Sequence, residues 1–201
     1  MIMEPYIDPF ELEFVYVGES KPTAEDFKPI KNFDIKAAGN PSKPSGGLWA
    51  SPVMENGKSD WENWLEEKES WTDKTNREMF NLEDKGSERF YITPKKGCRI
   101  LCIDGPEKYE PYLRRNNGQP LVAHHSLLID YEAIMKDFDA VYVPQREEEY
   151  SPAFQLWSAK TLLIGNLDAF DIQTEAEHTR QKSSAVDFRL QQQMFSKKWY
   201  R

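Results

Sequence analysis

Two consecutive glycines, Gly46 and Gly47, set between Lys43-Pro44-Ser45 and Leu48-Trp49-Ala50-Ser51-Pro52, constrain this chain more than any other feature. A Pro-Ser-Gly-Gly run is a tight turn, because glycine enters left-handed backbone conformations without steric cost. The short apolar run behind it is closed by a proline, which has no N–H to give to a ladder. Such a segment brings bare backbone, an indole and a hydroxyl to one strand end, a common way to build a small-molecule pocket. Close behind it, Ser59 and Glu62 form a capping-box pattern, and Trp61, Trp64, Leu65 and Trp71 recur at helical spacing. A helix is expected from about residue 60 to 69, with its tryptophans packed on a sheet.

Short β-branched and aromatic runs supply that sheet. Glu13-Phe14-Val15-Tyr16-Val17-Gly18 reads as a first buried strand closed by glycine. Residues 19–45 read as a long irregular loop, of a length often tied to function, expected to close over a pocket. Residues 88–93 and 98–103 flank Pro94-Lys95-Lys96-Gly97 and read as the two arms of a hairpin. After a polar loop from Asp104 to Pro120, Asp130 is the expected N-cap of a helix that turns Tyr131, Ile134, Met135 and Phe138 inward. Residues 139–144 and 160–165 read as further strands. From Glu175 the chain has no Gly or Pro, and Val186, Leu190 and Met194 recur at four-residue intervals near Phe195 and Trp199, the pattern of one amphipathic helix. The expected class is α+β, with a single domain over residues 1–170 and a helical tail over 171–201.

At 201 residues, with 13% aromatic and 30% charged, the chain has enough material for one sizeable core. No run approaches the ~20 apolar residues a membrane span needs, and Met1-Ile2-Met3-Glu4-Pro5 lacks the basic, then apolar, order of a secretory signal, so a cytoplasmic location without membrane association is expected. Cys98 and Cys102 on one strand would stand ~13 Å apart, too far for a mutual disulfide, and are expected to stay reduced. Net charge is −8, yet residues 179–201 carry Arg180, Lys182, Arg189, Lys197, Lys198 and Arg201 against the lone acid Asp187, which leaves about −13 on the remainder. The acidic body argues against nucleic acid as a partner. The basic tail suits an acidic protein partner or a homodimer through residues 179–201, or else is simply a solvated helix.

No Walker loop, Gly-x-Gly-x-x-Gly, Gly-x-Ser-x-Gly or metal-ligand spacing occurs, which argues against the common nucleotide-hydrolysing, Rossmann and serine-hydrolase classes. His124 and His125 are adjacent. In an extended segment they would point to opposite sides, and no Cys/His cluster accompanies them, so no metal site is expected.

The order of these elements resembles the mono-ADP-ribosyltransferase fold, a split β-sandwich that opens around NAD. The resemblance runs over residues 13–170, with peripheral helices and a C-terminal amphipathic helix beyond it. Tyr16-Val17-Gly18 falls where that family has a first-strand basic residue and a glycine, and Gly46-Gly47-Leu48-Trp49-Ala50-Ser51 falls on its second-strand motif. The resemblance implies a nucleotide site lined by Tyr16, Gly18, Lys43, Gly47, Trp49 and Trp61, with Gly18 offering backbone groups to a carboxamide, Ser51 positioning a ribose and Lys43 meeting a phosphate. Two departures stand out. Val17 replaces the basic residue, and no acid lies between Trp157 and Ile164, where the family carries a glutamate that stabilises an oxocarbenium-like transition state. The nearest acids are Glu147, Glu148 and Glu149, of which Glu148 and Glu149 are taken with Ser51 as the catalytic candidates; glutamates in such a loop are otherwise merely solvated.

The expected function is therefore that of an ADP-ribosyltransferase-like protein that binds NAD or a related nucleotide and transfers ADP-ribose to a macromolecule. The alternative is a non-enzymatic acidic protein that holds a host protein, of the inhibitor type that bacteriophages encode.

Overall fold

Alternation along the short apolar runs gives each strand two different faces, and the chain pairs these strands into one sheet. The computed structural model describes residues 8–35, 43–69, 88–144, 152–154 and 157–184. Along these the strands are β1 (Phe14–Gly18), β2 (Leu48–Pro52), β3 (Glu88–Pro94), β4 (Ile100–Cys102), the short β5 to β8 (Arg115–Asn116, Gln119–Pro120, Val122–Ala123, Ser126–Leu127), β9 (Ala140–Val143), β10 (Thr161–Ile164) and β11 (Phe170–Thr174). Helices α1 (Asp60–Glu69), α2 (Pro106–Tyr109), α3 (Tyr131–Asp137) and α4 (175–184) accompany them. The main sheet has seven strands in the order β11-β3-β1-β2-β10-β9-β4, antiparallel except for the parallel pair β4 and β9. The fold is α+β, and the sheet curls into a half-barrel.

The curl follows from the connections. Laid flat, β3 and β4 would be ~24 Å apart across the strands between them. The link from Pro94 to Ile100 reaches at most ~20 Å fully extended, and a turn closed by Cys98 N–H on the Lys95 carbonyl (3.0 Å) shortens it further. Only a curled sheet lets it cross. Across the same hollow the Phe14 ring meets the Tyr142 ring edge-on at 5.4 Å, although β1 and β9 are not neighbours in the sheet.

The expected hairpin of residues 88–93 and 98–103 is therefore corrected. Both edges of β3 are occupied, by β1 and by β11, so β4 crosses the mouth of the half-barrel and pairs with β9 at the far edge. Asp139 fixes that junction: its carboxylate accepts from Arg99 N–H (2.9 Å) and from Asn166 Nδ2 (2.8 Å). Burial opposes its ionisation, but these hydrogen bonds and the Arg99 guanidinium outweigh it and hold the carboxyl below its usual range. β11 carries alternating polar residues and had no counterpart in the sequence reading. The sheet thus continues past residue 170, and the helix begins at 175.

The two faces hold two cores. Inside the curl, Phe14, Ile92, Tyr142, Leu162, Ile164 and Phe170 pack together. Outside it, Val141, Val143 and Leu163 pack against Tyr131 and Ile134 of α3 and against Trp157. Asp130 caps α3 by accepting Ala133 N–H on Oδ1 (2.9 Å), as expected. Asn32 ties the preceding loop to that cap through Asp130 (2.8 Å) and Glu132 (3.2 Å), and Arg114 grips the Phe33 carbonyl (2.7 Å), so the stretch around Ile30 to Phe33 is a strap on the outer layer. Cys98 and Cys102 are free thiols, both raised to about 11, chiefly by burial and further by Asp139 and Asp104 respectively. Among the described residues no helix is long and apolar enough to cross a membrane. Trp71 and the tail residues Val186, Leu190, Met194, Phe195 and Trp199 lie outside the described residues.

Helix α4 docks on the outer side of β1 and β3. The His178 ring stacks on Tyr91 at 3.9 Å, with Nε2 3.5 Å from Glu13, while Lys182 pairs with Glu13 at 2.8 Å. Burial, set against the pull of Glu13, keeps the imidazole below its ordinary value of 6.5. A depressed folded-state pKa gives stability that is complete above the unfolded value and is lost as pH falls. The urea midpoint should accordingly drop on acidification from pH 7.5 to about 5.5, and His178→Gln should flatten that part of the profile; an identical slope in both proteins would contradict the half-buried neutral imidazole.

Candidate functional site

The ladder between β1 and β2 is short, and the cleft begins where it stops. Phe14 pairs with Pro52 and Val15 with Ser51, and Val53 N–H reaches the Glu13 carbonyl (2.8 Å). The same register would next set Val17 opposite Trp49, but there β2 has already turned to β10, pairing Ala50 with Leu162 and Leu48 with Ile164. The two strands part, and a cavity of about 320 Å³ opens between them, lined on one side by Val15, Tyr16 and Val17 and on the other by Trp49, Ala50 and Ser51. Because ladder groups alternate from side to side along a strand, the N–H and C=O of Val17 and Trp49 are aimed into this gap.

The tandem glycines cause the parting. Gly46 and Gly47 both take left-handed φ (+76° and +69°). A Cβ on Gly46 would strike the Pro29 carbonyl, and one on Gly47 would lie 2.8 Å from Ile30 Cγ1 and from Leu163 Cδ1. Gly47 N–H binds the Lys28 carbonyl (2.8 Å), and Lys31 and Ser45 exchange a pair of backbone bonds. Together these contacts draw the start of β2 away from β1. The same turn folds Trp49 back so that its Nε1 donates to the Gly46 carbonyl (3.2 Å).

The floor of the cleft is held by one hydroxyl. Ser51, buried at 4% exposure, donates to the Lys160 carbonyl (2.7 Å) and accepts from Trp61 N–H (3.1 Å). Asp60, 1% exposed, accepts Lys160 N–H (2.8 Å) beside it. The N-terminus of α1 is thereby locked to both strands, its capping box complete: Ser59 Oγ takes Glu62 N–H (3.2 Å) and Glu62 Oε2 takes Ser59 N–H (2.6 Å). Trp61 is delivered to one wall, stacked on Trp64 (4.9 Å, 19°). Trp157 enters from the segment before β10, packed against Trp49 at 5.0 Å and stacked on buried Tyr131 at 6.1 Å. Lys43 closes the rim, its Nζ 5.7 Å from the Trp49 ring centroid.

Tyr16, Lys43, Trp49, Ser51 and Trp61 of the sequence-derived set thus line one cavity. Gly18 and Gly47 are not among the lining residues. Gly18 sits opposite Glu88 in the β1–β3 ladder with the Tyr16 ring over the place a Cβ would take, and Gly47 packs on Ile30 and Leu163. Glu148 and Glu149 lie outside the described residues. Sequence reasoning missed Val15, Val17, Ala50, Trp157, Ser158, Ala159 and Thr161 as lining groups. For Trp157 the available signal was an isolated indole just before an apolar strand. For Val17 there was none, since its exposure depends on where the ladder ends. Among the described lining residues the charged group is Lys43, and none is a carboxylate. His124 and His125 lie at a hairpin tip with left-handed φ rather than in an extended segment, and no metal-ligating cluster occurs among the described residues.

No protein-family model, curated protein or solved structure matches the chain.

Removing the Ser51 hydroxyl leaves a buried N–H and a buried C=O short of a partner, at a cost of ~1–3 kcal/mol. Ser51→Ala should lower the unfolding free energy by that amount in a urea titration and shift the emission of the cleft tryptophans in the folded baseline. Unchanged stability would mean that the hydroxyl does not bridge α1 and β10.

Proposed function

We propose that the cleft binds a nucleotide, NAD or a relative of it, in the manner of an ADP-ribosyltransferase-like protein. The observation that carries this reading is the composition of the cavity: Tyr16, Trp49, Trp61 and Trp157 around a gap, an open ladder rung at Val17 and Trp49, and one cation, Lys43, at the rim. Indole faces suit a flat heteroaromatic ring, a paired N–H and C=O suit the edge of a carboxamide or base, and an ammonium suits a phosphate. The carboxamide contact that the sequence suggested for Gly18 falls to Val17 here, because Gly18 turns its backbone to β3.

In this reading Ser51 is a positioning residue, its hydroxyl spent on Trp61 and Lys160, and not a nucleophile. Transfer of ADP-ribose asks for an acid beside the ribose to stabilise developing positive charge. Glu148 and Glu149 are the residues assigned to that task, and Lys160 takes no part in it. The acceptor is a macromolecule.

Titration with NAD and with ADP-ribose should quench the intrinsic tryptophan fluorescence, with Trp49→Ala weakening the binding by roughly tenfold, the size expected for one stacked ring. Nicotinamide release measured in the same samples should fall to background in the variant Glu148→Gln/Glu149→Gln. Quenching without release would reduce the activity to nucleotide binding, and no response to either compound at any concentration would overturn the nucleotide reading.

A further inference from the structure

Between Glu110 and Asp130 the chain carries neither acid nor lysine, although acids make up 34 of its 201 residues. The structure shapes this stretch into two small hairpins, β5–β6 and β7–β8, that rise from a common base. The base is a ring of three backbone bonds: Arg114 N–H to the Leu128 carbonyl (2.8 Å), Leu121 N–H to the Arg114 carbonyl (2.7 Å) and Leu128 N–H to the Leu121 carbonyl (3.0 Å). Beneath it Leu128 and Ile129 are buried, so the base is anchored while the tips stand free.

The tips are unlike each other. The first turns on Asn117-Gly118, the residue pair that left-handed hairpin turns favour (φ 49° and 79°). The second makes the same kind of turn with His124-His125 (φ 47° and 68°), two residues that pay a steric penalty there, and both are exposed. Strain kept at an exposed tip points to a use for the side chains. Arg115, Asn116 and Gln119 on the first hairpin are exposed as well, and Val122 on the second is 59% exposed, an apolar group beside the polar ones.

We propose that these paired hairpins are a docking surface for a partner protein that presents an acidic patch. The groups on offer are donors: the Arg115 guanidinium, the side-chain amides and an N–H on each imidazole. A stretch with arginine but without lysine or acids, and with an apolar side chain among the donors, has the composition of a protein interface. A nucleic-acid footprint instead needs a dense Lys/Arg stripe on a basic domain, and this chain is acidic overall at −8. The base also holds the segments that lead to the cleft, through Leu127 N–H on the Pro152 carbonyl (2.9 Å) and Arg114 on the Phe33 carbonyl (2.7 Å), so a docked partner is seated on the layer that supports Trp157 and the strap.

The test uses the full chain and a fluorescein-labelled polyglutamate peptide as the acidic probe, read by anisotropy, with labelled single- and double-stranded oligonucleotides in parallel. The variant Arg115→Glu/His124→Gly/His125→Gly places glycine where the backbone of the second tip already favours it and gives up the Arg115 hydrogen bond to the Gly118 carbonyl (3.1 Å) in the first, so its urea midpoint is measured alongside to show that it is folded. Lys96→Glu, an exposed site in another turn, makes the same change in net charge. The expected result is peptide binding that weakens at least tenfold in the hairpin variant and is unchanged in Lys96→Glu. Absence of peptide binding, or an equal loss in both variants, would overturn the proposal. Oligonucleotide binding that depends on the hairpins and exceeds that of the peptide would overturn it in favour of a nucleic-acid partner.

Discussion

The conformation of Gly46 and Gly47 is the constraint on which the rest of the site depends. Both lie where a side chain has no room, against the Pro29 carbonyl in one case and between Ile30 and Leu163 in the other. Their left-handed turn ties the head of β2 to the strap and to β10, while the tail of β2, at Ser51 and Pro52, stays with β1. One strand therefore belongs to both halves of a curled sheet, and its two ends are pulled apart. The opening between β1 and β2 is the direct consequence. A sheet that had completed its ladder through Val17 and Trp49 would have been a better sheet without a cleft.

An opened sheet needs something to hold it open, and here that is the junction of Ser51, Asp60 and Lys160. Two successive elements, β2 and α1, meet the sequence-distant entry to β10 on one buried hydroxyl and one buried carboxylate. Such groups are stable in the interior only when partnered, which ties α1, β2 and the entry to β10 to one relative placement. The aromatic walls take their positions from this junction and from the glycine turn: Trp61 from the first turn of α1, Trp157 from the segment before β10, and Trp49 from its bond to the Gly46 carbonyl. What results is a cleft walled by aromatic side chains with the Lys43 ammonium at its rim.

How much of this was legible in the sequence differs from residue to residue. The capping box at Ser59 and Glu62, the cap at Asp130 and the β-branched strands were legible because they are local: each is specified by neighbours within a turn or by a period of two. Tyr16, Lys43, Trp49, Ser51 and Trp61 were legible as one site only because the glycine turn advertises a strand end and the resemblance placed them together. The partners of β3 were not legible. Residues 88–103 look like a hairpin at short range, and only the polar, unremarkable strand Phe170–Thr174, arriving late in the chain, occupies the edge that β4 would have used. The roles of Gly18 and Val17 also depend on which side of β1 faces the gap, a matter of register that no local pattern encodes. The two histidines misled for the same reason, since an extended segment and a hairpin tip read alike until the flanking pairs are known.

Amide hydrogen exchange resolved to single residues tests the opened ladder most directly. In the free protein the amides of Val15 and Ser51 should be protected as ladder members, while those of Val17 and Trp49, one rung further, should exchange far faster and slow on saturation with NAD. Equal protection at all four amides in the free protein would show that β1 and β2 remain paired beyond Val15 and that no cleft opens between them.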